Sequence, residues 1–240
     1  QEFLLRERSP KLSREDATLY RSNVMRASFV SQDRADFGEV VQTLAQGMAA
    51  PTEANLADLK KLARYLVGKP YVALRYSQQP RPRSLVLKVD SDHAADKKTR
   101  KSTTGRVAYF GDHVVKTTSN LQSAIGLNMT ECESYALVHG GAHGLGLQAF
   151  LNDIGVQVAV EVQSDSSSAK SFASRQGLGK QRYVQTRYLW LQERVALKHI
   201  KVKIKGSENE SDILTKAVAA PTMQKHMTVS YTHLRAHETS

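Results

Sequence analysis

Residues 77–84, SQQPRPRS, contain two prolines and no apolar side chain, and the hydrophobic period changes from one side of them to the other. Proline fixes φ and removes a backbone donor, so neither a helix interior nor a central strand runs through such a stretch. Two separately organised parts are therefore expected, a helical one over residues 1–78 and a larger one over 79–221.

Upstream the period is helical. Residues 1 to about 15 are charged and carry no clear period, as at a frayed start. Ser13 with Asp16 three residues on reads as an N-cap, and Val40, Val41 and Leu44 recur at helical spacing, which together suggest a helical pair. Pro51 and Thr52 then open a further helix whose Leu56, Leu59, Leu62, Ala63 and Leu66 form one stripe, and Gly68 closes it.

Downstream the period is that of strands. SLVLKVD, GRVAYFG and HVVKTTS read as three antiparallel strands, the last two joined by Gly111 and Asp112, which is hairpin chemistry. MTECESYALVHGGAHGLGLQAFLNDIG reads as a helix capped by Thr130; Gly140, Gly141 and Gly144 weaken it unless they permit close packing on the sheet. A strand in VQVAVEVQSD, a short helix in SSSAKSFASRQG, a longer helix in QRYVQTRYLWLQERVALK, a fifth strand in HIKVKIKG and a final helix in NESDILTKAVAA complete the order. Helices between the later strands imply parallel pairing through right-handed crossovers. The expected class is α/β, a mixed five-stranded sheet with flanking helices, preceded by a small helical part.

Lys and Arg number 34 against 23 Asp and Glu, a formal charge of +11, which suits a polyanionic partner such as nucleic acid and equally an ordinary basic globular protein. The single cysteine, Cys132, excludes an internal disulfide framework and fits a reducing, intracellular setting, without separating a cytoplasmic particle from the nucleus. No apolar run approaches the roughly 18 residues that span a bilayer, so no membrane partner is expected. A first residue of Gln1 rather than Met suggests a piece of a longer polyprotein. Residues 222–240 read as an unstructured tail, and within it VSYTHLRAHET, 229–239, resembles the translation of a sequencing-library adapter and is excluded from fold reasoning.

The acids fall at the ends of these elements. Asp90 ends the first strand, Asp165 follows the fourth, Glu133 lies in the first turn of the intervening helix, and Asp212 opens the last helix. If the first and fourth strands are central neighbours, their carboxyl ends bring Asp90 and Asp165 together, with Glu133 and Asp212 beside them. Four converging carboxylates repel one another unless a divalent cation neutralises them, and oxygen-only ligands suit Mg²⁺, with Mn²⁺ as a substitute. Two such ions, roughly 4 Å apart, are a device for hydrolysing a phosphodiester. Singly, each acid has a plainer reading: a strand-end polar residue, a first-turn acid favoured by the helix dipole, or an N-cap. Glu131 is the rival of Glu133. The pair His139 and His143, one helical turn apart, lacks the glutamate placement of a zinc motif and reads as solvated or satisfied.

Five stretches in order over residues 84 to about 218 resemble the ribonuclease H domain of copia-type LTR retrotransposon polyproteins. VDSDHAADKKTRKSTTG is similar to that family's strand-ending D-A-D-W-A-G-D with the basic R-R-S-T-T-G after it, and TECESYAL to its A-E-A-E-Y-M-A-L. SDSSSAK resembles C-D-N-Q-S-A, QRYVQTRYLWLQE resembles K-H-I-D-I-R-Y-H-F-I-R-E, and ESDILTK resembles A-D-I-L-T-K. Upstream, YRS, RAD and PTEANLADLKKLARYL resemble the end of the family's reverse transcriptase. The resemblance implies a ribonuclease H-like fold, metal-binding and catalytic acids Asp90, Glu133, Asp165 and Asp212, and two Mg²⁺ ions. It also implies an RNA–DNA hybrid as substrate and an upstream reverse transcriptase domain as partner in the same polyprotein, with no polymerase activity from this chain. Glu133 is preferred to Glu131 because it stands four residues before Leu137, as the family's second glutamate precedes its leucine.

His93 stands where the family has Trp and Tyr183 where it usually has His. Lys97, Lys98, Arg100 and Lys101 read as a rail for the nucleic-acid backbone, or as a solvated loop. Lys201, Lys203 and Lys205 alternate as on a soluble edge strand, and Tyr188 and Trp190 read as core. Three functions remain open: an active endoribonuclease, a decayed copy that binds nucleic acid without cutting, and a structural connection domain.

Overall fold

The computed structural model describes residues 9–72, 76–96, 98–179, 186–204 and 209–215, which fall into two compact units divided between residues 72 and 76. Lys97, Tyr183, Lys205 and the whole tail from 216 lie outside the described residues.

The first unit is built from α1 (Arg14–Val30), α2 (Gly38–Gln46) and α3 (Glu53–Gly68). Ser13 caps α1 as expected, its hydroxyl accepting the Asp16 N–H at 3.1 Å. At the start of α3, Thr52 and Asn55 satisfy each other's backbone donors in a capping box. Tyr20, Val24, Phe37, Val41, Leu44 and Leu62 form the core, and the Tyr20 hydroxyl donates to the Leu44 carbonyl at 2.7 Å. One charged group is buried beside it. The Arg34 guanidinium grips Asp36 with two bonds of 2.9 and 2.7 Å, and the Tyr65 hydroxyl donates to the same carboxylate at 2.6 Å.

The second unit contains β1 (Ser84–Ser91), β2 (Thr103–Phe110), β3 (His113–Leu121), α4 (Met129–Asp153), β4 (Ala159–Ser164), α5 (Ser167–Ser174), α6 (Trp190–Ala196) and β5 (Ile200–Ile204). The sheet order is β3-β2-β1-β4-β5, with β1–β2 and β2–β3 antiparallel and β1–β4 and β4–β5 parallel. This is the mixed sheet that the element order implies, with β1 at its centre. Gly111, at φ +63°, makes the turn between β2 and β3.

Leu85, Leu87 and Val89 of β1 and Val160 and Val162 of β4 face α4 and form the core with Tyr135, Leu137, Phe172, Tyr188 and Leu191. The helix glycines set how near α4 can come. A Cβ on Gly140 would stand 2.6 Å from Val89 Cγ1, and one on Gly144 would stand 2.6 Å from Val160 Cγ1. Close packing on the sheet, rather than helix weakening, is their role. Among the described residues, no helix is long and apolar enough to cross a membrane.

Three expectations change. The cap of α4 is Asn128, not Thr130, because the Asn128 side chain reaches the N–H of Glu131 at 2.9 Å while Thr130 already lies in the helix. The longer helix expected over 181–198 is, in its described part, a 3₁₀ turn (Thr186–Leu189) followed by the short α6. A 3₁₀ turn aligns residues three apart, and Tyr188 and Leu191 are both buried, Tyr188 stacked on Tyr135 at 4.0 Å. Residues Glu210–Leu214, expected to open a final helix, form a 3₁₀ turn capped by Asn209.

If closeness of α4 to the sheet is what Gly140 provides, its substitution is opposite in sign to that of an open glycine on the same helix. Gly146→Ala, with nothing within 4 Å of the added Cβ, stabilises the protein by about 0.5–1 kcal/mol through helix propensity. Gly140→Ala destabilises it by about 1–3 kcal/mol through overpacking against Val89. Urea denaturation of the two variants measures both, and equal effects would refute the packing role.

Candidate metal centre at the carboxyl end of the sheet

Parallel pairing of β1 with β4 ends at Lys88 and Gln163. Asp90 lies two residues farther along β1 and Asp165 immediately follows β4, so both leave the same edge of the sheet. The first turns of α4 lay Glu133 over that edge. One carboxylate oxygen from each of Asp90, Glu133 and Asp165 lies within 4.8 Å of the other two; Asp90 and Glu133 are buried and Asp165 is exposed.

Glu133 sits between the two strand ends and is held from both. It accepts the Ser91 N–H at 3.2 Å and the Ser164 hydroxyl at 3.4 Å. Burial, and then the charges of Asp90 and Asp165, push its pKa up to about 8 against the partial relief of those two donors. Glu133 is thereby held protonated near neutral pH in the metal-free protein. The donor set is oxygen only, which is the ligand chemistry that suits a hard divalent cation.

Asp212 does not join this set. It is half-buried in the 3₁₀ turn, and the residue that reaches the cluster from that turn is Thr215, whose hydroxyl donates to Asp90 Oδ2. Glu131 is turned to another task, accepting the Leu127 N–H at 2.9 Å and the Tyr135 hydroxyl, so Glu133 is the helix acid of the cluster. Asp92 and Asp96 build the loop after β1. Asp92 accepts the Thr103 N–H at 2.9 Å and Asp96 the Lys98 N–H at 2.9 Å.

Lys98 and Arg100 are exposed and Lys101 half-exposed on that same loop, with Arg100 at φ +60°. His93 is exposed at the strand end. Burial, and then the charges of Arg106 and Lys116, push His143 down to about 4, a setting that opposes a further cation. Lys203 pairs with Glu161 at 2.7 Å on edge strand β5. Tyr188 is buried and Trp190 packs against the core.

Sequence reasoning passed over the second layer of this centre: Ser91, Ser164 and Thr215. A signal was present only for Ser164, whose hydroxyl stands next to Asp165; Ser91 acts through its backbone N–H, which its residue type does not announce.

The chain is 30% identical over 190 residues to the retrovirus-related Pol polyprotein from transposon TNT 1-94 of Nicotiana tabacum, covering 77% of this chain and 14% of that protein. It is also 30% identical over 156 residues to the corresponding polyprotein from transposon RE1 of Arabidopsis thaliana, covering 62% of this chain and 11% of that one. The chain therefore spans no more than 14% of the length of these relatives. No protein-family model matches it. Among solved structures, the foamy viral protease-reverse transcriptase in complex with dsDNA aligns with a TM-score of 0.54 at 15% identity, covering 82% of this chain and 39% of that one. With a sheet of order β3-β2-β1-β4-β5 and three acids gathered at its carboxyl edge, the chain is homologous to a segment of the retrovirus-related Pol polyproteins of plant copia-type transposons, and its second unit is an α/β domain with a mixed five-stranded sheet and flanking helices.

Proposed function

We propose that the second unit is a metal-dependent endonuclease that hydrolyses the RNA strand of RNA–DNA hybrids during retrotransposon reverse transcription. The observation that carries this reading is the convergence of Asp90, Glu133 and Asp165 at the ends of β1, α4 and β4 in a chain homologous to Pol polyproteins. Two Mg²⁺ ions, or Mn²⁺ in their place, supply an activated water and stabilise the leaving oxygen when bound. Asp90, Glu133 and Asp165 hold them, and Asp212 serves as the fourth acid from the adjoining turn. Lys97, Lys98, Arg100 and Lys101 contact backbone phosphates, giving sequence-independent and salt-sensitive affinity. The upstream reverse transcriptase domain of the same polyprotein delivers the hybrid.

Glu133 couples metal uptake to a proton. Its pKa in the folded, metal-free protein is about 8, above the ordinary carboxylate value of 4.5. Between those values the folded state holds a proton that the unfolded state has released, so metal-free stability falls as pH rises through this window and the penalty is complete above about 8. A cation that displaces the proton removes the penalty, and its affinity rises with pH over the same range.

The second reading, binding without cutting, is favoured by Asp212 lying outside the group of three acids whose oxygens come within 4.8 Å of one another. A labelled RNA–DNA hybrid separates the two. Cleavage with Mg²⁺ that falls by a factor of about 100 or more in Asp90→Asn supports the nuclease; uncut hybrid, retained with a steep salt dependence, supports binding alone.

Thermal denaturation in EDTA tests the proton coupling. Glu133→Gln leaves stability nearly unchanged near pH 4.5 and raises it at pH 8.5 by at least about 1 kcal/mol, since one pKa unit corresponds to about 1.4 kcal/mol. Added Mg²⁺ stabilises the unsubstituted protein more than this variant. A pH-independent difference would refute the coupling.

A further inference from the structure

Residues 209–215 lie across the open face of β1, β2 and β3, and each fastening converges near Asp90. The Asn209 amide donates to the Val89 carbonyl at 2.7 Å, one residue before Asp90 in the strand. Lys88, two residues before Asp90, pairs with Glu210 at 2.7 Å, with only 13% and 9% of the two side chains exposed. The Ser119 hydroxyl of β3 donates to the Leu214 carbonyl at 2.6 Å. Gly105, paired directly with Asp90 across the β1–β2 ladder, leaves the room, because a Cβ there would stand 2.6 Å from the Ser211 carbonyl oxygen. The turn ends with the Thr215 hydroxyl donating to Asp90 Oδ2.

The χ2 preference of an aspartate is broad, so a buried carboxylate such as that of Asp90 takes its orientation from its partners. A hydroxyl has one proton, and although Thr215 Oγ1 also lies 3.2 Å from the Asp212 carbonyl, a charged carboxylate is the stronger acceptor. We infer that Thr215 is a positioning residue of the metal centre: held by the fastenings of residues 209–215, it fixes the rotation of the Asp90 carboxylate so that its remaining lone pairs face the cation. This rests on the metal-binding role given to the cluster above. It assigns to the turn a task independent of Asp212, namely orienting an acid on the strand.

The test is Mn²⁺ binding, followed by the loss of the free-ion electron paramagnetic resonance signal, in the whole chain with no nucleic acid present. Thr215→Val keeps the shape and removes the donor; Thr215→Ser keeps the donor. We expect Thr215→Val to weaken Mn²⁺ binding by roughly tenfold or more, as loss of an orienting partner does, and Thr215→Ser to restore it to within about threefold of the original. Gly105→Ala, whose Cβ would stand 2.6 Å from the Ser211 carbonyl oxygen and 2.9 Å from Thr215 Cγ2, displaces the turn and Thr215 with it and weakens binding in the same direction. Urea midpoints measured in EDTA separate this from unfolding. Unchanged affinity in Thr215→Val, or an equal loss in Thr215→Ser, overturns the assignment while leaving the metal site standing. Absence of Mn²⁺ binding by the unsubstituted protein overturns both.

Discussion

The parallel pairing of β1 with β4 is the constraint on which the second unit depends. It is a non-local contact, joining residues 84–88 to residues 159–163, and the β2–β3 hairpin and a 25-residue helix lie between the two. Only a crossover through α4 can return the chain in the same direction, and α4 must then lie flat on both strands. The glycines at 140 and 144 let it do so at the β1–β4 seam, so the helix that closes the crossover also carries Glu133 to the strand ends. Sheet topology and acid convergence are one geometric fact.

Much of this was legible in the sequence because it depends on period and on ends. Short apolar-rich stretches at β1 and β4, with an acid at the end of each, foretold the sheet and the convergence of Asp90 with Asp165. The residues alone could not rank Glu131 against Glu133, since both are early in α4; the family pattern favoured Glu133, and the physical reason is that Tyr135 and Leu127 take Glu131 for themselves. Nor could it foresee 3₁₀ turns at Thr186–Leu189 and Glu210–Leu214. Helix and 3₁₀ share local propensity, and the choice falls to tertiary contacts: Tyr188 on Tyr135 in one case, Glu210 on Lys88 in the other.

The first unit follows different physics. Its three helices enclose a small apolar core, and a buried guanidinium–carboxylate pair completed by the Tyr65 hydroxyl ties the α1–α2 connection to α3. Arg34 also donates to the Lys69 carbonyl at 3.2 Å, so the end of α3 is held by the same side chain. The R-A-D stretch that resembles a family signature is thereby explained locally: each charged member is satisfied only when the other and Tyr65 are in place, which favours one arrangement of the helices over near alternatives.

The mirrored pairs Asp90-Ser91 and Ser164-Asp165 carry a last consequence. Glu133 is gripped by the backbone of one strand end and by the hydroxyl of the other, so the three acids meet only when β1 and β4 are aligned as they are. Slipping the pairing by one residue would turn the donors and acids to opposite faces of the sheet. A divalent cation held by this cluster would therefore favour the present β1–β4 register over a slipped one.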